Sequence, residues 1–288
     1  MMKRAILISI VLLSQVVCAQ PPGRLTPAQA DSQCASFWHG YDFQDLTPLQ
    51  SPKVILDYIY LLSHLDKDRA AVHLNGLLSQ ASGNKEVLRQ FIFLFERYLY
   101  DLRSRFADEA LYETVARFAV ETPVLDSLDK SLPQFQLEMI SLNRPGTIVN
   151  DLVIGFADGS ESRLHEVEGE FILLVLSNPE CKSCRSLMER IEGSRLLTDL
   201  HAGGHLTKLT LYPGNDLSVW NPSKYPSGWV AAYDKEDRIW SERLFSLRIM
   251  PSVYLLDSSG RVLLKEAGFE DIIDYFSNPA AAKSDCFH

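Results

Sequence analysis

The sequence predicts an all-α helical bundle over residues 51–142, followed by an α/β layer domain over residues 143–278. Three observations predict it. Apolar residues recur at helical spacing from Lys53 to Leu142; the periodicity changes at Asn143-Arg144-Pro145-Gly146; strand and helix patterns then alternate to the end. A chain of 288 residues suits about two domains of the usual ~100–200 residues. With 46% hydrophobic and 23% charged residues it is a packed chain, not a disordered one. A formal charge of -9 argues against nucleic acid and against an anionic membrane surface as partners, since both attract basic patches.

Residues 1–19 read as a signal peptide. Lys3 and Arg4 precede a short apolar run, and Val17-Cys18-Ala19 offers the small residue needed at the cut, after Ala19. The run is shorter than the ~20 residues of a permanent span, and no other segment qualifies as one. Lipidation at Cys18 is the rival reading, but Val17 stands where lipoprotein signals resemble one another in having Gly, Ala or Ser. Either route predicts a periplasmic or other extracytoplasmic location, where disulfides persist. Residues 20–50 read as a lead-in segment, flexible over 20–33, where Pro21, Pro22, Gly23 and Pro27 fall.

The bundle follows from four stripes. Val54, Tyr58, Leu61 and Leu65 share one face, and Ala70, Leu74, Leu77 and Ala81 another; Leu88, Phe91, Phe95 and Leu102 form a third, and Leu111, Val115 and Phe118 a fourth. Gly83-Asn84 and Pro123 are breaks, and a fifth helix is expected over 128–142, disturbed at its start by Pro133. Aromatic stripes at this spacing are core. His64 and His73 stand singly and read as surface or boundary residues.

Beyond Gly146, residues 152–156, 171–177, 206–212, 253–256 and 262–265 read as strands, the second and fourth buried on both faces. Helices are expected over 184–200, split near Gly193-Ser194, and over 270–276. The stretch between 212 and the Pro251 strand reads as a long insertion whose Trp220, Trp229 and Trp240 make a packed lid or an apolar substrate surface. The tail is 279–288.

One motif carries chemistry: Cys181-Lys182-Ser183-Cys184, after a buried strand and at the start of a helix. Unpaired N–H groups and the dipole at a helix start stabilise a thiolate, and this spacing brings the second sulfur within reach of the first. Lys182 adds positive charge beside Cys181 and Glu180 opposes it, so both are expected to tune the redox pair.

With Met250-Pro251-Ser252 ahead of a downstream strand, these residues make the second domain resemble the thioredoxin-like family, in particular secreted TlpA/ResA-type thiol:disulfide oxidoreductases. Asn150-Asp151-Leu152, Asp158-Gly159 and Ser259-Gly260-Arg261-Val262 resemble that group's entry segment and hairpins. The whole chain resembles secreted thioredoxin-like proteins of Bacteroidetes with a helical domain in front, through Phe37-Trp38, Tyr41-Asp42-Phe43 and Glu96-Arg97-Tyr98-Leu99-Tyr100-Asp101.

The resemblance implies Cys181 as nucleophile, Cys184 as resolving thiol, and a cis Pro251 that sets the Met250 backbone beside Cys181 to bind an extended substrate. It implies exported proteins with thiols or disulfides as substrates, an upstream redox partner, and no cofactor. Two positions depart from the family: Glu180 stands where Trp is common, and Val175 where thioredoxin has a buried Asp that moves protons. Two other readings stay open: a non-catalytic binding or scaffold protein, and a metal-delivery protein of the same fold. One C-x-x-C is half of a structural zinc set, and His201 and His205 flank a turn, so no metal site is assigned. The remaining mature cysteines, Cys34 and Cys286, are expected in mobile segments, as unrelated surface thiols or as a bridge.

Overall fold

Capping chemistry sets the helix starts of the first domain. Thr26 accepts from the backbone N–H of Gln29 and Pro27 fills the first turn, where its missing N–H costs nothing, so α1 (Pro27–Phe37) begins inside the expected lead-in. Ala30, Cys34, Trp38 and Leu49 are buried, so residues 27–50 belong to the helical core and are not a lead-in. The proline that suggested a loop is a helix-start residue. The computed structural model describes residues 25–278; residues 1–19, expected to be a signal peptide, with Cys18, and Cys286 lie outside the described residues.

Ser51, Asp66, Asn84, Asp108 and Asp126 cap α2 (Pro52–Leu62), α3 (Lys67–Ala81), α4 (Lys85–Phe95), α5 (Glu109–Glu121) and α6 (Ser127–Ser141). Pro133 lies inside α6 without ending it, and α4 runs on into a π-helical turn, Glu96–Tyr100. The aromatic stripes meet in one core, where Trp38 sets its ring edge-on to Tyr41, Tyr58 and Phe91. His73 is a boundary residue, 2.7 Å from Asp31 on α1; Arg69 and His73 together hold the Asp31 carboxyl down at about 2.

The second domain is one seven-stranded mixed sheet. Its strands are β1 (Val153–Gly155), β2 (Glu161–Arg163), β3 (Phe171–Leu176), β4 (Leu206–Tyr212), β5 (Val230–Asp234), β6 (Ser252–Asp257) and β7 (Val262–Lys265), in the order β2-β1-β5-β4-β3-β6-β7. β3 runs parallel to β4 and antiparallel to β6. Alternation splits β3 cleanly: Ile172, Leu174 and Leu176 pack with Tyr254 and Leu256 on one face, and Leu173 and Val175 with Met188, Ile191 and Leu255 on the other.

β5 corrects the expectation of an unbroken insertion. Val230-Ala231-Ala232-Tyr233-Asp234 carries two alanines and an aspartate, all weak strand formers, and it forms because β4 and β1 pair with it from both sides. Helices α7 (Lys182–Gly193) and α8 (Arg195–Ala202) split at Ser194, which caps the second; α9 (Arg238–Ser241) is a single turn and α10 (Phe269–Ser277) closes the domain.

Polar side chains lock the two domains together. Lys265 donates to the last carbonyls of α6, Met139 and Ile140, and to Glu109; Arg144 pairs with Glu113. Asn143, in the left-handed region at φ 48°, donates to Leu244 O and accepts from Asn150 N. No helix among the described residues is long and apolar enough to cross a membrane.

Candidate redox site

The sulfurs are placed by the way β3 ends. Ser177 still bonds to Leu211 O, then Asn178 turns the chain by accepting the Glu180 N–H on its side chain and the Cys181 N–H on its carbonyl. Cys181 thereby becomes the N-cap of α7, its sulfur 3.1 Å from the donating N–H of Cys184. Arg185 donates to Pro179 O at 3.0 Å and secures the turn from below.

Cys181 and Cys184 are joined as a disulfide, their Cα atoms 5.3 Å apart. Cys181 is half-buried, while Cys184 is 1% exposed. An external partner therefore reaches Cys181 first. A thiolate there would gain from the α7 N-terminus, as the anion-stabilising end of a helix.

The Met250–Pro251 peptide bond is cis, and Met250 O lies 3.9 Å from the Cys181 sulfur. Ser183, inside the motif, donates to Met250 O at 2.9 Å and sits 3.1 Å from the same sulfur. The backbone N–H groups of Ile249 and Met250 make no backbone hydrogen bond among the described residues. Two backbone donors are thus free beside the sulfur, while the Met250 carbonyl is held by Ser183.

Glu180 is paired with Lys224 of the segment between β4 and β5, which holds its carboxyl below the usual range, so its charge is partly neutralised beside Cys181. Lys182 is exposed at the first turn of α7 and forms no ion pair among the described residues. Val175 is fully buried, and the buried polar groups nearest along the strands are Ser177 and Thr210, hydroxyls 2.6 Å apart, with the Tyr225 hydroxyl 3.4 Å from Ser177. Burial raises the Tyr225 phenol above its ordinary range, against the opposing Ser177 and Thr210 hydrogen bonds.

The tryptophans divide. Trp220 and Trp229 are buried, the latter donating to Glu192, whereas Trp240 is 58% exposed. His201 bonds to Leu206 O and His205 to Glu170, separate partners for the pair flanking the turn. No group of three or more metal-ligating side chains gathers among the described residues.

Cys34 overturns the expectation of a mobile surface thiol. It is 3% exposed in the helical core, and burial pushes its thiol up to about 11. A thiol so shifted is almost wholly protonated near neutrality. Native protein is expected to take up no iodoacetamide at Cys34 at pH ~8, and denatured protein to be alkylated there fully, as read by mass spectrometry. Rapid native labelling would contradict the burial.

Sequence reasoning missed Ser183, Lys224 and Arg248. Ser183 was legible as part of the motif; the other two act through partners far away in the chain. Arg248, two residues before Met250, donates to Tyr100 O at 3.1 Å and Glu109 at 2.7 Å, stacks 4.1 Å over the Tyr100 ring, and also pairs with Glu266.

The comparisons agree with this architecture. A family model described as a domain of unknown function, DUF5106, matches residues 33–143. No curated protein matches. A crystal structure of a thioredoxin-like protein from Bacteroides caccae superposes with a TM-score of 0.82 at 26% identity, covering 96% of this chain and 99% of that one. The C-terminal domain of an uncharacterized protein from Bacteroides fragilis is 31% identical over 47% of this chain and 98% of its own, with a TM-score of 0.46. The thioredoxin domain of a thiol-disulfide oxidoreductase from Bacteroides vulgatus aligns at 16% identity over 47% of this chain and 96% of its own, with a TM-score of 0.41. The chain has a thioredoxin-like α/β domain behind a helical domain, an arrangement shared with the Bacteroides caccae protein, whose match covers 96% of this chain.

Proposed function

We propose that the protein is an exported thiol:disulfide oxidoreductase that exchanges disulfides with other exported proteins. The observation that carries this reading is the half-buried Cys181 sulfur over a buried Cys184 at a helix N-terminus, beside the free backbone N–H of Met250. In the reducing direction, the Cys181 thiolate attacks a substrate disulfide. A mixed disulfide forms, and the other substrate sulfur leaves as thiolate. Cys184, as thiolate, then attacks Cys181, closes the internal disulfide and releases the second substrate sulfur as thiolate. Two electrons pass to the substrate, and an upstream dithiol reductant restores the pair. Met250 pairs with the extended substrate backbone, and the Glu180–Lys224 pair sets the field at Cys181. The N-terminal basic and apolar run supports export, and export supplies substrates whose disulfides persist.

Reduction of insulin under dithiothreitol tests the reading. Wild-type protein is expected to shorten the lag before precipitation in proportion to its concentration, and a Cys181→Ser/Cys184→Ser variant to match the dithiothreitol blank. Equal curves for the two proteins would remove the enzymatic reading.

A further inference from the structure

The domain junction opens into a cleft of about 1000 Å³ that runs from the redox motif to the helical domain. Ser183 and Pro251 line one end. Ile249 and Leu187 continue its wall in the sheet domain, and Leu102 and Ala110 face them from the helical domain. The volume is at the upper end for a small-molecule pocket and suits a stretch of chain.

Its charges are balanced. Arg144, Arg190, Arg248 and Lys265 line it with Glu109, Glu113, Glu266 and Asp271, four of each sign on a chain of formal charge -9. Each of these has a partner within the protein. Arg144 meets Glu113, Arg190 meets Glu270, Arg248 meets Glu109 and Glu266, Lys265 meets Glu109, and Asp271 accepts the Gly268 N–H. A charged ligand would have to break one of these pairs, whereas apolar groups meet unpaired leucine, isoleucine and alanine surface.

We infer that the helical domain forms one wall of the substrate cleft, and that its occupant is an extended, cysteine-bearing segment of a non-native protein with uncharged apolar side chains beside the cysteine. This rests on the redox reading for the cysteine, and on the cleft alone for the apolar flanks. The chain would pair at Met250 and lay its flanking side chains between Leu102 and Ile249. The cleft takes in Ser183 of the motif and the neighbouring Pro251, and its walls are tied across the domains by Arg248 and Lys265.

Short disulfide-linked peptides with Leu, Lys or Asp on both sides of the cysteine test this, each with a Cys→Ser copy whose binding is read by fluorescence anisotropy without turnover. The full chain is expected to bind the Leu-flanked copy about tenfold more tightly than either charged one, roughly the worth of one buried leucine. KM for the disulfide forms should follow the same order. Leu102→Asp should move the preference to the Lys-flanked peptide, and Ala110→Lys, at an exposed position, to the Asp-flanked one. Equal binding of all three by wild-type protein, or an order unmoved in Ala110→Lys, overturns the inference. Ranked binding without reduction of any peptide upholds the cleft and sinks the redox reading; reduction without ranking does the reverse.

Discussion

Replacing Cys184 with serine is expected to turn the protein into a trap, and replacing Cys181 to silence it. The difference comes from burial. Cys181 is accessible and lies against the N–H of Cys184, so it is the sulfur that an external disulfide meets and the one whose thiolate the helix start supports. Cys184 is 1% exposed and bonded to Cys181, so an external disulfide does not meet it first. In Cys184→Ser the first attack still proceeds, but a hydroxyl cannot displace the mixed disulfide, which then accumulates as a higher-mass band on a non-reducing gel. In Cys181→Ser the rate of insulin reduction should fall to that of the dithiothreitol blank, since the attacking thiolate is gone. Captured bands in the envelope fraction of the Cys184→Ser strain would name substrates. Accumulation in Cys181→Ser rather than Cys184→Ser would reverse the assignment.

Arg248→Met is expected to lower stability by about 3–5 kcal/mol, the usual cost of removing one partner from a buried ion pair. Glu266 is 1% exposed and held in the left-handed region at φ 49°, an unfavourable backbone for a residue with a Cβ. Its carboxylate is satisfied by Arg248 and by the Ser246 hydroxyl at 2.8 Å. Without the guanidinium the charge is buried against one neutral donor. The variant also loses the links to Tyr100 O and Glu109, the ties between the Met250–Pro251 loop and the helical domain. In a domain of this size, the loss corresponds to a Tm lower by ~10 °C, readable by calorimetry. Glu266→Gln in the same background should recover part of it, because the stranded charge is gone. A Tm within ~2 °C of wild type in the single variant would show that the network carries little.

The helical faces were legible because a 3.6-residue period survives in the residues that become core: Tyr58, Phe91, Phe95 and Tyr112 are buried where the stripes place them or beside them. Strands β3 and β6 were legible as nearly continuous apolar runs, since both of their faces are buried. Two local signals were misread or too weak. Pro27 suggested a loop, although with Thr26 before it and Gln29 after it the residue is a helix start. β5 carries little intrinsic strand preference and exists because two neighbours bond to it.

By itself, the sequence determined the order of the two domains, the core faces and the position of the Cys181-x-x-Cys184 pair after a buried strand, since each depends on residues close together in the chain. Only the tertiary structure decided what surrounds that pair. Arg248 meets Tyr100 and Glu109, Lys265 reaches the end of α6, Lys224 answers Glu180, and Ser183 finds Met250 O. These contacts join residues tens to more than a hundred positions apart, and local periodicity carries no information about such pairings. The cleft is their product, because its two walls come from different domains and its charge balance appears only when they close on each other.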